Sequence, residues 1–274
     1  MLVLPPAAGG VELDPDDPLP HAVAPSATTA RSAAIASMRW CVCGFMCCPT
    51  RPEADRIYDL PVSVIDPPVW LFDFDGTLVD SEALILSSFR YATDHVLGET
   101  PSDDVLRAGI GLTLEQQAHE LAGERAQELF DVYVRHNRGA HAELLRTFPG
   151  VAEMLVRLRE RGARLAVVTA KIRATLELGF EHVPLRREWF EVLIAKEDTD
   201  RHKPEPEPLL LALERMAARR DQAIYVGDSP FDIRAAHAAG VTAAAAAWGD
   251  IFARDVLVAE RPHLVFDSPD QVAP

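Results

Sequence analysis

Short apolar runs, each followed by a helix-length stretch, constrain this chain more than any other feature. They fall at Val69–Phe72, 164–169, 191–195, Ala223–Gly227 and 241–247, with a shorter one at Leu264–Phe266. Runs this short and continuous predict strands buried on both faces. Their alternation with helices predicts an α/β fold, a Rossmann-like doubly wound parallel sheet. In such a sheet the carboxyl ends of all strands share one edge, where ligands bind.

The segment between the first and second runs differs. Asp80 or Ser81 is placed to cap a helix reaching Gly98, with Leu84, Leu86, Phe89, Ala92, Val96 and Leu97 as its apolar members. Thr113 with Gln116 reads as a capping box opening a short helix. A further helix is expected from about Glu124 to Leu145. With no strand signal among these pieces, residues 84–147 are expected as a helical cap. The core then comprises 68–83 and 148–270.

Residues 1–67 have another character. They are rich in Pro and Ala, lack periodicity, and are expected to be a disordered extension. All four cysteines lie there, at Cys41, Cys43, Cys47 and Cys48, so no disulfide framework can staple the core. Zinc sites draw on two separated ligand pairs, and this cluster has no second pair, so no metal site is assigned to it. The cysteine usage fits a cytoplasmic protein. The N-terminus lacks the basic start of a secretory signal. No segment has the roughly 20 apolar residues of a membrane span. A net charge of −15 argues against a nucleic-acid partner.

The first run stops at Asp73, with Asp75 two residues on and Gly76 and Thr77 after it. On a strand, residues two apart point to the same side. Two carboxylates are thus expected together at the sheet's functional edge, where burial is costly without a partner. Other run ends add Thr169 with Ala170, and Gly227 with Asp228 and Ser229; Asp232 opens the next helix, and Lys203 lies in a loop before another. This inventory suits phosphoryl transfer. Asp73, Asp228 and Asp232 are hard oxygen ligands suited to Mg²⁺. Lys203, the Thr169 hydroxyl and the backbone N–H groups of 74–76 can meet phosphate oxygens.

In this order the four pieces resemble the haloacid dehalogenase superfamily. They are Asp73-Phe-Asp75-Gly-Thr77, Val168-Thr169, Lys203-Pro204 and Gly227-Asp228-Ser229-Pro-Phe-Asp232. The resemblance implies Asp73 as a nucleophile forming an aspartyl-phosphate, and Asp75 as the acid and base. It implies Mg²⁺ held by Asp73, the Asp75 backbone carbonyl, Asp228 and Asp232. Thr169, Ala170 and Lys203 would bind the phosphoryl group. An acid at position 75 separates the phosphatases of the superfamily from its true dehalogenases.

Residues 168–171, 203–208 and 247–249, with Arg135, Asn137 and His141 in the cap, look like phosphoglycolate phosphatases and related pyrophosphatases. The expected substrate is therefore a phosphoglycolate-type monoester or pyrophosphate. Lys171, Arg135, Asn137 and His141 are candidates for selecting it. Thr113 stands where that pattern commonly has Pro. A phosphomutase of the β-phosphoglucomutase type and a non-catalytic binding protein on the same fold are the alternatives.

Overall fold

The computed structural model describes residues 69–274. The expected N-terminal extension and the cysteine cluster lie outside these residues. Six strands form one parallel sheet: β1 Val69–Phe72, β4 Arg164–Val168, β5 Val192–Ile194, β6 Ala223–Gly227, β7 Thr242–Ala246 and β8 Leu264–Phe266. Their order is β5-β4-β1-β6-β7-β8, all parallel. Counting these six strands along the chain, the order is third, second, first, fourth, fifth, sixth, the Rossmann arrangement. The chain reverses direction across the sheet at β1, so the ligand crevice belongs at the end of β1.

The pleat divides the core into two layers. Trp70, Phe72, Val167, Ile224 and Val226 face one way, onto Met154, Leu155 and Leu158 of α5 (Val151–Glu160) and Leu176 of α6 (Arg173–His182). Val69, Leu71, Val168, Tyr225 and Ala245 face the other way. They meet α7 (Glu207–Arg215), α8 (Pro230–Ala239) and α9 (Arg254–Ala259) through Leu209, Ile233 and Leu257. Burial on both faces is why these strands read as unbroken apolar runs.

Four helices fill the segment between β1 and α5: α1 Glu82–Leu97, α2 Asp103–Ala108, α3 Leu114–Ala122 and α4 Ala126–Leu144. They pack a third apolar cluster around Leu86, Phe89, Leu106, Leu129 and Val132. The capping box at α3 forms: Thr113 Oγ1 accepts from the Gln116 N–H, and the Gln116 side chain accepts from the Thr113 N–H. Thr113 thus closes the helix start with its own side chain. That gives Thr a local use where the related pattern has Pro, a residue pre-set for helix starts.

One element is absent from the sequence reading. β2 (Val79–Asp80) and β3 (Arg146–Thr147) form a two-stranded antiparallel ribbon. It ties together the two crossings between the helical layer and the sheet.

Candidate active site

Asp73 follows directly on β1, and its N–H donates to the Val226 carbonyl at 2.9 Å, so it stands level with the end of β6. The regular strand ends at Phe72, and the chain turns through Gly76 at φ +76°. The two acids therefore do not continue a shared strand face, and each has its own lysine. Lys203 Nζ lies 2.9 Å from Asp73 Oδ2, with both side chains buried. Lys171 Nζ lies 3.0 and 3.1 Å from the two oxygens of Asp75. The Phe74 N–H donates to Asp73 Oδ1 at 2.8 Å.

Lys203 is the hub of the buried layer. It donates to Asp232 Oδ1 at 2.6 Å and to the Tyr225 hydroxyl at 3.1 Å. The Tyr225 hydroxyl also lies 2.9 Å from both Asp232 Oδ1 and the Val168 carbonyl, with one proton for the two. Burial works against the charge on Lys203, but Asp232 and Asp73 outweigh it and hold the ammonium above its ordinary value.

Asp73, Asp228 and Asp232 bring carboxylate oxygens within 4.8 Å of one another, all buried. One lysine faces three acids, and the cluster shows it. Burial pushes the Asp73 carboxyl up to about 7, with Lys203 opposing and Asp232 and Asp75 adding to the rise. Burial, then repulsion from Asp232 and Asp73, pushes Asp228 well above the carboxylate range. Such a set fits a hard divalent cation, which supplies the missing positive charge.

The three acids are not equivalent. Asp232 Oδ2 accepts from the Ser229 N–H at 3.0 Å and the Ser229 hydroxyl at 2.5 Å, inside the capping box of α8. With Lys203 and Tyr225 on Oδ1, both its oxygens are committed. Asp228 accepts from the Thr77 hydroxyl on Oδ1 at 3.0 Å, which leaves Oδ2 without a donor among the described residues. Gly76 makes room for that oxygen, because a Cβ there would stand 2.0 Å from it. Asp228 is thus the acid with a free oxygen, while Asp73 is held by the Phe74 N–H and Lys203, and Asp232 holds Lys203 and the α8 start.

A cavity of about 80 Å³ opens above the acids, between sheet edge and helical layer. At about 10–15 Å³ of such space per water, it has room for roughly five to eight waters. Asp73, Asp75, Thr169, Ala170, Lys171 and Asp228 line its lower part. The Thr169 hydroxyl accepts from the Lys171 N–H at 3.2 Å, which fixes the loop after β4. Lys203 and Asp232 sit behind Asp73 and do not line the cavity.

Of the cap candidates, only Asn137 reaches this space. His141 is fully buried, and its Nδ1–H donates to the Asn137 carbonyl at 2.6 Å. Burial lowers its pKa, so the ring stays neutral near pH 7. Arg135 is exposed and does not line the cavity. Sequence reasoning missed Tyr225, which holds Lys203, and named Thr77 and Ser229 only as motif residues without their roles of holding Asp228 and Asp232. It also missed the reason for Trp248, whose indole N–H donates to the Thr77 carbonyl at 3.0 Å and braces the turn after Asp75.

Sequence comparison bears on this arrangement. The family model for haloacid dehalogenase-like hydrolases matches residues 70–246. This chain belongs to that family. The hydrolase is 37% identical over 175 residues to the pyrophosphatase PpaX of Halalkalibacterium halodurans, covering 64% of this chain and 80% of the relative. A solved protein from Bacteroides fragilis assigned as a haloacid dehalogenase-like hydrolase is 29% identical, with TM-score 0.67 over 72% of this chain and 95% of that one. One from Lactobacillus plantarum assigned as a phosphoglycolate phosphatase is 26% identical, with TM-score 0.68 over 75% and 97%. Among the described residues no helix is long and apolar enough to cross a membrane.

Proposed function

We propose that this hydrolase is a Mg²⁺-dependent phosphohydrolase acting on a small phosphorylated molecule through an aspartyl-phosphate on Asp73. The observation that carries this is the buried Asp73, held by Lys203 and grouped with Asp228 and Asp232 at the floor of the cavity. In this reading Mg²⁺ is held by Asp73 and Asp228, with Asp232 in support and the Asp75 carbonyl as a further ligand. When bound, it offsets the repulsion between a carboxylate nucleophile and an anionic phosphoryl group.

The Asp73 carboxylate attacks phosphorus, forming the aspartyl ester as the bond to the leaving oxygen breaks. Asp75 gives that oxygen a proton, then takes one from the water that hydrolyses the ester. Thr169 and the Ala170 backbone orient the phosphoryl oxygens, while Lys203, from behind Asp73, balances the charge of the acids. Lys171 keeps the Asp75 carboxyl at the cavity wall. The helices of 84–147 serve as a cap that limits water around the reacting groups. Pyrophosphate and phosphoglycolate, after which the relatives are named, are the first substrates to assay.

The test is turnover of a phosphate-ester panel with Mg²⁺. Wild-type enzyme is expected to release phosphate and to stop in excess chelator. Asp73→Asn is expected to lose the activity while keeping its fold by circular dichroism. Normal turnover by Asp73→Asn, or full activity in chelator, refutes the assignment.

A further inference from the structure

The upper cavity has a character the floor lacks. Its wall is built by Ile85 and Phe89 of α1, Ile110 and Leu112 of the loop before α3, and Val134 of α4. The polar groups among them, Gln117, Tyr133 and Asn137, are all neutral. All three are partly engaged: the Gln117 amide donates to the Leu106 carbonyl at 2.6 Å, and the Asn137 amide to Ser88 Oγ at 3.3 Å and to the Tyr133 hydroxyl at 3.4 Å. Among the described residues Lys171 is the one cation lining the cavity, and both Asp75 oxygens already face it at 3.0 and 3.1 Å. Lys203 lies behind Asp73, against Asp73 and Asp232.

Consider a phosphoryl group seated over Asp73. Whatever it is attached to extends toward the aliphatic wall. A second phosphate, as in pyrophosphate, or a carboxylate, as in phosphoglycolate, would bring a further anion to that wall, where no described side chain offers an unpaired cation to meet it. Burying a charge without a partner is among the costliest events in a protein interior. An apolar group has the opposite balance, since it trades water for the side chains of Ile85, Phe89, Leu112 and Val134.

We propose that the leaving group is uncharged and mainly apolar, so that the substrate is the phosphate monoester of a small neutral alcohol or phenol. This rests on the phosphohydrolase reading above and narrows it. The bond from phosphorus to the ester oxygen breaks as the bond to Asp73 forms. The proton from Asp75 releases a neutral alcohol, which suits the wall it leaves. Tyr133 and Asn137 offer that alcohol hydrogen-bonding groups without asking for charge.

The experiment measures kcat/KM, with Mg²⁺ present, for matched esters on the full chain. Phenyl phosphate is paired with para-carboxyphenyl phosphate, and propyl phosphate, phosphoglycolate and pyrophosphate complete the panel. The uncharged member of the phenyl pair is expected to lead by about tenfold or more, on the scale that pocket contacts set. Val134→Lys is expected to narrow or invert that ratio by adding a cation to the wall. Leu112→Lys serves the same purpose where the first variant fails to fold. Pyrophosphate or phosphoglycolate equalling the best uncharged ester overturns this inference alone, as does an unchanged ratio in a folded lysine variant. Turnover of none of the compounds refutes the phosphohydrolase reading, and this inference with it.

Discussion

Replacing Asp228 by Asn should make the metal-free protein more stable and the enzyme inert. In the acidic cluster, carboxylate oxygens of Asp73, Asp228 and Asp232 lie within 4.8 Å of one another. At that separation and an effective dielectric of 20, each like-charge pair costs about 3.5 kcal/mol. Asp228 faces two such neighbours, while the attraction from Lys203, which pairs with Asp73 and Asp232, is weaker than either repulsion. Neutralising Asp228 therefore removes a net repulsion of at least one pair, about 3.5 kcal/mol or more before relaxation. Relaxation and proton uptake by the wild-type cluster reduce this, so a gain of about 1–3 kcal/mol is expected. Asn keeps an oxygen for the Thr77 hydroxyl, now 3.0 Å from Asp228, so no buried donor is orphaned.

The assay is thermal and urea unfolding of both proteins, in chelator and in excess Mg²⁺, at mildly alkaline pH. In chelator the variant should melt higher, at about 2–4 °C per kcal/mol for a domain of this size. Mg²⁺ at one hundred times its dissociation constant should add about 2.7 kcal/mol to the wild type. It should add little to the variant, whose turnover should be lost. A variant less stable than wild type in chelator refutes the charge argument. Equal stabilisation of both by Mg²⁺ refutes Asp228 as a ligand.

Other perturbations test separate parts. Asp75→Asn should lower turnover by about 10²–10⁴ and let the phosphorylated enzyme accumulate, as seen by mass spectrometry after acid quench; a rate within a few-fold of wild type would remove Asp75 from proton transfer. A Cβ at Gly227 would stand 2.4 Å from the Asp232 Cβ and Cγ. Gly227→Ala should therefore destabilise by about 1–3 kcal/mol in calorimetry and cut activity, and an unchanged melting curve would contradict that close packing. Burial lowers the pKa of His141 from its ordinary 6.5, with Lys171, Asp75 and His182 as charged or titratable neighbours. The unfolded chain then binds the proton more readily, so His141 adds stability above about pH 6.5 that is lost as pH falls through its folded value. His141→Asn should flatten the acid limb of the stability profile by up to about 1.4 kcal/mol per pH unit, and an unaltered limb would count against a neutral buried ring.

What the sequence made legible follows the range of the interaction involved. The strands were readable because burial on both faces writes itself into consecutive residues, as in Val69–Phe72. The box of Thr113 and Gln116 was readable because both partners sit three residues apart. The β2–β3 ribbon was not, because it pairs Val79 with Thr147 and Asp80 with Arg146 and is only two residues long on each side. Tyr225 was hidden for a similar reason: in a run of buried strand residues nothing local says that its hydroxyl meets Lys203 and Asp232. Arg135 teaches the reverse. On α4, Leu129, Tyr133, Asn137 and His141 recur every fourth residue and are buried, while Arg135 falls about 200° from Tyr133 around the helix. That periodicity stood in the sequence and already separated Asn137, which reaches the cavity, from Arg135, which does not. That inward stripe carries no Lys or Arg, and its one His, His141, does not line the cavity, which is why α4 adds no cation to the upper wall. The choice of leaving group was thus written in the phase of one helix, beneath a family motif that speaks only of the phosphoryl group.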